Sequence, residues 1–163
     1  MMIQAKHWNS LIEPGITAIV GAGGKTTVLS KLVEYAGLIG APTLVTTTTK
    51  LYESQVALWN PYYGTDFNDA EEACHKAMQR GRCAAWFSSV DGTKVTSLKP
   101  QAIDAMHMVH PNWQILVEAD GAKEKWVKAP KTTEPIIPSQ TTTTIGVCLL
   151  YTSPSPRDRS LSR

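Results

Sequence analysis

A glycine-rich segment, VGAGGKTTVL at residues 20–29, most constrains how this chain can fold. It follows the β-branched run ITAIV (16–20) and precedes an apolar stripe at helical spacing, so a strand gives way to a helix here. A turn needs one glycine, whereas this segment has Gly21, Gly23 and Gly24. The extra glycines let the backbone approach a ligand closely, and the free N–H groups of a helix N-terminus favour an anion. The segment therefore predicts a phosphate-binding loop.

The side chains of this loop fit the same chemistry. Lys25 offers a cation that can reach the outer phosphates of a nucleotide, and Thr26 offers a hydroxyl for Mg²⁺. We expect Lys25 to be exposed and the helix to begin near Thr26. The predicted nucleotide-binding residues are Gly21, Ala22, Gly23, Gly24, Lys25, Thr26 and Thr27. The spacing is shorter than the usual G-x-x-x-x-G-K-[ST], because Ile19 stands where that pattern has glycine, and it resembles the short loop of the Mur ligases.

Strand-like and helix-like segments alternate along the chain. Strands are predicted at 16–20, 43–49, 83–89, in the buried run that ends in VEAD, and at 141–147. Helices are predicted after the glycine loop, after an N-cap at Asn68 with Glu71 in a capping box, and from Pro100 with Val109 facing inward. This alternation predicts an α/β fold of the P-loop NTPase type, with a mainly parallel sheet flanked by helices.

The buried strand ILVEADG ends in two acids, Glu118 and Asp120. In parallel sheets, ligands bind at the carboxyl ends of the strands, so these acids should lie near the glycine loop. One carboxylate can hold the metal of a bound nucleotide, and the other can orient an attacking water. We assign Asp120, together with Thr26, to Mg²⁺ and Glu118 to the water. The exchanged assignment of the two acids stays open.

Two further segments offer side chains to the same site. TTTTK, at 46–50, places Thr48 and Lys50 at the end of the second predicted strand, and the segment 123–138 contains Lys123 and Lys128. We predict these four residues as accessory to phosphate or substrate binding. A plain β-branched strand and a solvated basic loop are the alternatives.

Composition limits the classes of partner. The net charge is +2, and residues 149–163, with three arginines and one aspartate, account for all of it, so no basic surface predicts nucleic-acid binding. The sequence has three cysteines without a pairing motif, no signal-peptide pattern and no long apolar run. These features predict a cytoplasmic protein that does not enter a membrane.

The segment 149–163, rich in Ser, Pro and Arg, resembles read-through of an adapter or vector. We therefore expect a non-native, disordered tail after a nucleotide-binding domain at 1–148.

Three motifs taken together resemble the selenium-dependent hydroxylase accessory protein family, also called YqeC-type. They are VGAGGKTT, LVTTTTK and VEADGAKEKWVKAPKTTEPIIP, and the resemblance covers residues 14–147. It implies a P-loop protein that binds ATP or GTP with Mg²⁺ and serves the maturation of selenium-dependent molybdenum hydroxylases. The implied partner is such a hydroxylase or its cofactor-maturation machinery. The resemblance also implies that the native domain continues past this point, so that 1–148 is C-terminally truncated.

Three functions are compatible with these motifs. The favoured one is an NTP-hydrolysing accessory factor for a molybdenum hydroxylase. The Mur-like loop also suggests an ATP-dependent ligase or a small-molecule kinase, which would release phosphate only with its second substrate. A nucleotide-gated binding module without catalysis would bind nucleotide and never turn it over.

Overall fold

A computed structural model describes residues 9–81, 83–120 and 135–148. The predicted accessory residues Lys123 and Lys128 and the predicted tail from residue 149 lie outside the described residues, so those assignments stay predictions. Within the described ranges, no helix combines the length and the apolar composition that crossing a bilayer requires.

The core of the fold is a parallel sheet of six strands. Along the chain the strands are β1 (Gly15–Gly21), β2 (Thr43–Thr47), β3 (Leu51–Tyr52), β4 (Pro61–Tyr63), β5 (Ala84–Phe87), β6 (Val90–Asp91), β7 (Lys94–Val95), β8 (Gln114–Glu118) and β9 (Thr141–Val147). The main sheet has the order β4-β5-β2-β8-β1-β9, and all its neighbouring pairs are parallel. Strands β3, β7 and β6 form a separate small antiparallel sheet. The predicted α/β fold with a mainly parallel sheet is confirmed.

Helices cover both faces of the main sheet. They are α1 (Lys25–Leu38), α2 (Glu53–Val56), α3 (Phe67–Gln79) and α4 (Pro100–Val109). Leu116 of β8 packs in one buried cluster with Leu29 of α1, whereas its neighbour Val117 packs in the opposite cluster with Met106 of α4. The strand is apolar on both sides because successive side chains point to opposite faces and both faces are covered. Each such buried side chain contributes about 1.5–3 kcal/mol.

Two details of the predicted helices are wrong. The N-cap of α3 is Asp66, whose carboxylate accepts a hydrogen bond of 3.0 Å from Asp69 N, so the predicted cap at Asn68 is two residues late. Aspartate and asparagine are about equally good caps, so propensity could not choose between them. Val109, predicted to face inward, is the last residue of α4 and is 53% exposed, because the helix ends there before it completes another inward turn.

The strand ends also differ from the sequence pattern. The predicted strand at 43–49 ends at Thr47, because Thr49 N donates to the Thr47 hydroxyl at 3.0 Å and the chain turns. Such local side-chain hydrogen bonds compete with the strand ladder. The predicted strand at 83–89 shortens to β5, while the one predicted at 141–147 is confirmed as β9.

Candidate functional site

The glycine loop connects the carboxyl end of β1 to the first turn of α1. Gly21 has a φ of 113°, and a Cβ there would lie 2.2 Å from the Val147 carbonyl oxygen of β9, so only glycine fits. Gly24 is the N-cap of α1 with a φ of 86°, and it has no side chain with which to cap the first-turn N–H groups. Ala22 is buried within the loop, and Thr27 is exposed on the first turn. The loop thus presents backbone donors at the positive end of a helix.

Lys25 is the first residue of α1 and lies folded back under the loop. Its Nζ donates to the Gly21 carbonyl oxygen at 2.8 Å and lies 3.9 Å from Glu118 Oε1. The residue is only 2% exposed, so the expectation that Lys25 is exposed is wrong. The reason is that the Gly21 carbonyl and the Glu118 carboxylate together replace the water that a lysine ammonium needs.

Glu118 and Asp120 reach the loop from the neighbouring strand β8. The register pairs Ile19 with Glu118, so the end of β8 lies beside the end of β1. The Thr26 hydroxyl donates to Glu118 Oε2 at 3.1 Å, and Gly21 N donates to Asp120 Oδ2 at 3.0 Å. Both acids are buried, at 4% and 6% exposure. Thr26 therefore contacts Glu118, the acid assigned from the sequence to the attacking water.

The electrostatics of Glu118 favour a cation beside it. Burial raises the pKa of the Glu118 carboxyl above its ordinary value, and the neighbouring Asp120 adds to the rise. Lys25 and the hydrogen bond from Thr26 act in the opposite direction but do not offset the burial. A divalent cation at this point would stabilise the Glu118 carboxylate as the anion.

The predicted accessory residues of the described region do not join the loop. The Thr48 hydroxyl donates to the Ile136 carbonyl oxygen at 2.6 Å, so it fixes the segment before β9. The Lys50 ammonium pairs with Asp91 of the small sheet at 2.8 Å, and both side chains are more than half exposed. The structure therefore brings together the glycine loop, Lys25, Thr26 and the two acids, and leaves the side chains of Thr48 and Lys50 with other partners.

One residue that contacts this group was not singled out from the sequence. The Thr47 hydroxyl donates to the Glu118 carbonyl oxygen at 2.7 Å, and Thr47 is fully buried. The sequence pointed to the run TTTTK as a whole but offered no means of choosing Thr47 within it. The choice depends on the pairing of β2 with β8, in which Thr47 lies opposite Glu118.

The oxygen atoms at the site suit a hard cation that is coordinated in part by the protein and in part by a bound molecule. They are the oxygens of the Thr26 hydroxyl and of the Glu118 and Asp120 carboxylates, which are ligand types that Mg²⁺ prefers. No group of three His, Cys, Asp or Glu side chains in the described ranges is arranged to hold a metal by itself. Magnesium at nucleotide sites needs only one or two protein ligands, because phosphate oxygens and waters supply the rest. The residues present fit that role.

Comparisons with known proteins agree on one family. The family model described as YqeC protein matches residues 17–156. A protein of Escherichia coli strain K12, described as uncharacterized protein YqeC, is 32% identical over 135 residues, which are 83% of this chain and 52% of that protein. The chain thus spans about half the length of this relative. No solved structure matches the chain. By both the family match and the relative, the chain belongs to the YqeC family.

Proposed function

We propose that this chain binds a nucleoside triphosphate with Mg²⁺ and hydrolyses it, as part of an accessory factor for the maturation of selenium-dependent molybdenum hydroxylases. One observation carries the nucleotide part: Lys25 and Thr26 begin a helix behind a glycine loop, within 3.9 Å of a buried acid on the next strand. The accessory role rests on the family resemblance. The triphosphate in this proposal is ATP or GTP.

The phosphates would bind at the N-terminus of α1. The loop N–H groups and the helix dipole favour the anion, and Lys25 would exchange the Gly21 carbonyl oxygen for a phosphate oxygen. Nζ lies 2.8 Å from the Gly21 carbonyl oxygen, so the ammonium already stands at the loop that would hold the phosphates.

The hydrogen bond from Thr26 favours Glu118 as the carboxylate nearer the metal. Thr26 and Glu118 already lie 3.1 Å apart, whereas Asp120 is bonded to the loop through Gly21 N. We therefore propose the exchanged assignment, with Thr26 and Glu118 holding Mg²⁺ and Asp120 placed to fix the loop and orient a water. When bound, Mg²⁺ neutralises the developing charge on the phosphates.

Removing the charge of Lys25 tests the nucleotide proposal. Lys25→Met keeps most of the length and apolar body of the side chain, and its matched control is Lys31→Met on the same helix, where Lys31 is 59% exposed and pairs with Glu34. Loss of a charged hydrogen bond of about 1.5–3 kcal/mol predicts roughly tenfold or more weaker binding of ATP or GTP, measured by calorimetry. Lys31→Met should bind as the parent does.

Thermal unfolding of each variant separates lost binding from lost folding, and Lys25→Arg provides a second variant that keeps the charge. Equal affinities for Lys25→Met and the parent, with both folded, would overturn the nucleotide proposal.

Measuring nucleotide turnover then separates the function classes. Phosphate release by the protein alone, accelerated by a molybdenum hydroxylase, supports the accessory NTPase, whereas release only with an acid and an amine substrate supports a ligase.

A further inference from the structure

Thr47, the last residue of β2, connects the end of that strand to the Glu118 backbone. Its hydroxyl donates to the Glu118 carbonyl oxygen at 2.7 Å and accepts a hydrogen bond from Thr49 N at 3.0 Å. We infer that Thr47 is a positioning residue, which sets the Glu118 carboxylate at the distance from Thr26 that a metal site needs. This inference rests on the proposed function of Glu118 as the acid nearer Mg²⁺.

The Glu118 backbone is held from both neighbouring strands. On the β1 side, Ala119 N donates to the Ile19 carbonyl oxygen at 3.0 Å, which is ordinary ladder pairing. On the β2 side, the Glu118 carbonyl oxygen accepts two hydrogen bonds, from Thr48 N at 3.1 Å and from the Thr47 hydroxyl. The pair Thr47 and Glu118 is the last in the β2–β8 register, so the hydroxyl reinforces the point where the two strands end.

Small displacements matter at this point. The Glu118 carboxylate lies 3.1 Å from the Thr26 hydroxyl and 3.9 Å from the Lys25 ammonium. Both contacts are made by the last residue of β8 that pairs with β2. Beyond it, the backbone is held by single hydrogen bonds, from Ala119 N to the Ile19 carbonyl oxygen and from Ile136 N to the Ala119 carbonyl oxygen. Without the Thr47 hydroxyl, Thr48 N would remain as the hydrogen-bond donor on that side, and Thr49 N would lose its acceptor. The end of β8 would then be held less rigidly, and the Glu118 carboxylate would be held less rigidly as well.

The adjacent residue, Thr46, provides a matched control. It is also fully buried, and its hydroxyl also donates to a backbone carbonyl oxygen, that of Trp86, at 2.7 Å. Trp86 belongs to β5, which pairs with β2 on the edge away from β8. Replacing Thr46 with valine therefore removes a buried hydrogen bond of the same kind without touching Glu118. Thr47→Val should lose more stability than Thr46→Val, because Thr49 N also loses its acceptor, and only Thr47→Val should change the metal site.

The experiment compares Thr47→Val, Thr47→Ser and Thr46→Val by calorimetric nucleotide binding across a series of Mg²⁺ concentrations, and in EDTA. Thr47→Val should need about tenfold more Mg²⁺ for half-maximal strengthening of nucleotide affinity, the scale on which partners behind a metal ligand act. Its affinity in EDTA should equal that of the parent. Thr47→Ser keeps the hydroxyl and should behave as the parent, as should Thr46→Val.

Each other outcome counts against the inference. An unchanged Mg²⁺ requirement in Thr47→Val, or an equal shift in Thr46→Val, would mean that Thr47 is an ordinary buried strand residue. If Thr47→Val does not fold, Thr47→Ala supplies a second variant without the hydroxyl and is judged by the same shift. A parent protein that binds nucleotide with no Mg²⁺ dependence would instead refute the metal part of the proposed function, and the inference with it.

Discussion

Replacing Gly21 with alanine tests whether the end of β1 approaches β9 as closely as the structure shows. A Cβ at this position would lie 2.2 Å from the carbonyl oxygen and 3.0 Å from the nitrogen of Val147. Both atoms belong to the backbone, so no side-chain rotation can relieve the contact. The φ of 113° adds a second cost, because L side chains rarely adopt it.

The two costs can be combined into an expected loss of stability. A residue with a Cβ in a sparsely populated backbone region costs about 1–3 kcal/mol, and forcing an extra methyl into packed structure costs about 1–3 kcal/mol more. We therefore expect the free energy of unfolding to fall by roughly 2–6 kcal/mol. For a chain of this size, that corresponds to a loss in Tm of at least about 4 °C.

Urea unfolding followed by circular dichroism measures this loss, and Gly37→Ala is its control. Gly37 lies within α1, and a Cβ there would meet nothing within 4 Å. Alanine is the better helix former, so Gly37→Ala should gain about 0.5–1 kcal/mol. If Gly21→Ala unfolds at the same urea concentration as the parent, the close approach of β1 and β9 is refuted, and with it the reason for a glycine at this position.

Two further predictions concern carboxylates. Asp104→Ala removes a side chain that accepts three hydrogen bonds from the turn before β9. The free energy of unfolding should therefore fall by about 1–2 kcal/mol in the same urea assay. An unchanged urea midpoint would show that these hydrogen bonds do not stabilise the fold. The raised pKa of Glu118 means that the folded state holds this proton more tightly than the unfolded chain does. Its contribution to stability is therefore present below the unfolded pKa and is lost as pH rises through the folded pKa. Without Mg²⁺, the parent should lose stability relative to Glu118→Gln over that range, and parallel pH profiles would contradict the shift.

The sequence identified those parts of the fold and the candidate site that depend on neighbours along the chain. The glycine loop, the start of α1 close behind it and the strand that ends in Glu118 follow from local patterns of glycine, β-branched and apolar residues. The contact between Thr26 and Glu118 joins residues 92 positions apart, and it exists because β8 lies between β1 and β2. No local pattern specifies that order of strands.

The predicted exposure of Lys25 was wrong for the same reason. A lysine at the start of a helix is normally solvated, and only the nearby Gly21 carbonyl and the distant Glu118 carboxylate make its burial tolerable. Thr47 could not be chosen from its run of threonines, since its importance depends on its pairing with Glu118. Local chemistry predicted which residue types the site would use, and the strand order decided which of them meet.

The contacts within the loop give a physical account of how a nucleotide could bind with little rearrangement of the backbone. Lys25 Nζ is held by the Gly21 carbonyl oxygen, and Gly21 N is held by Asp120, so the loop already contains partners for its own charges and dipoles. A phosphate that binds as proposed would take over the lysine, and Mg²⁺ would take over the carboxylate charge of Glu118. Charged groups would thus exchange polar partners within the protein for charged partners on the ligand. The desolvation of Lys25 and Glu118 has already occurred on folding and need not be repeated when the ligand binds.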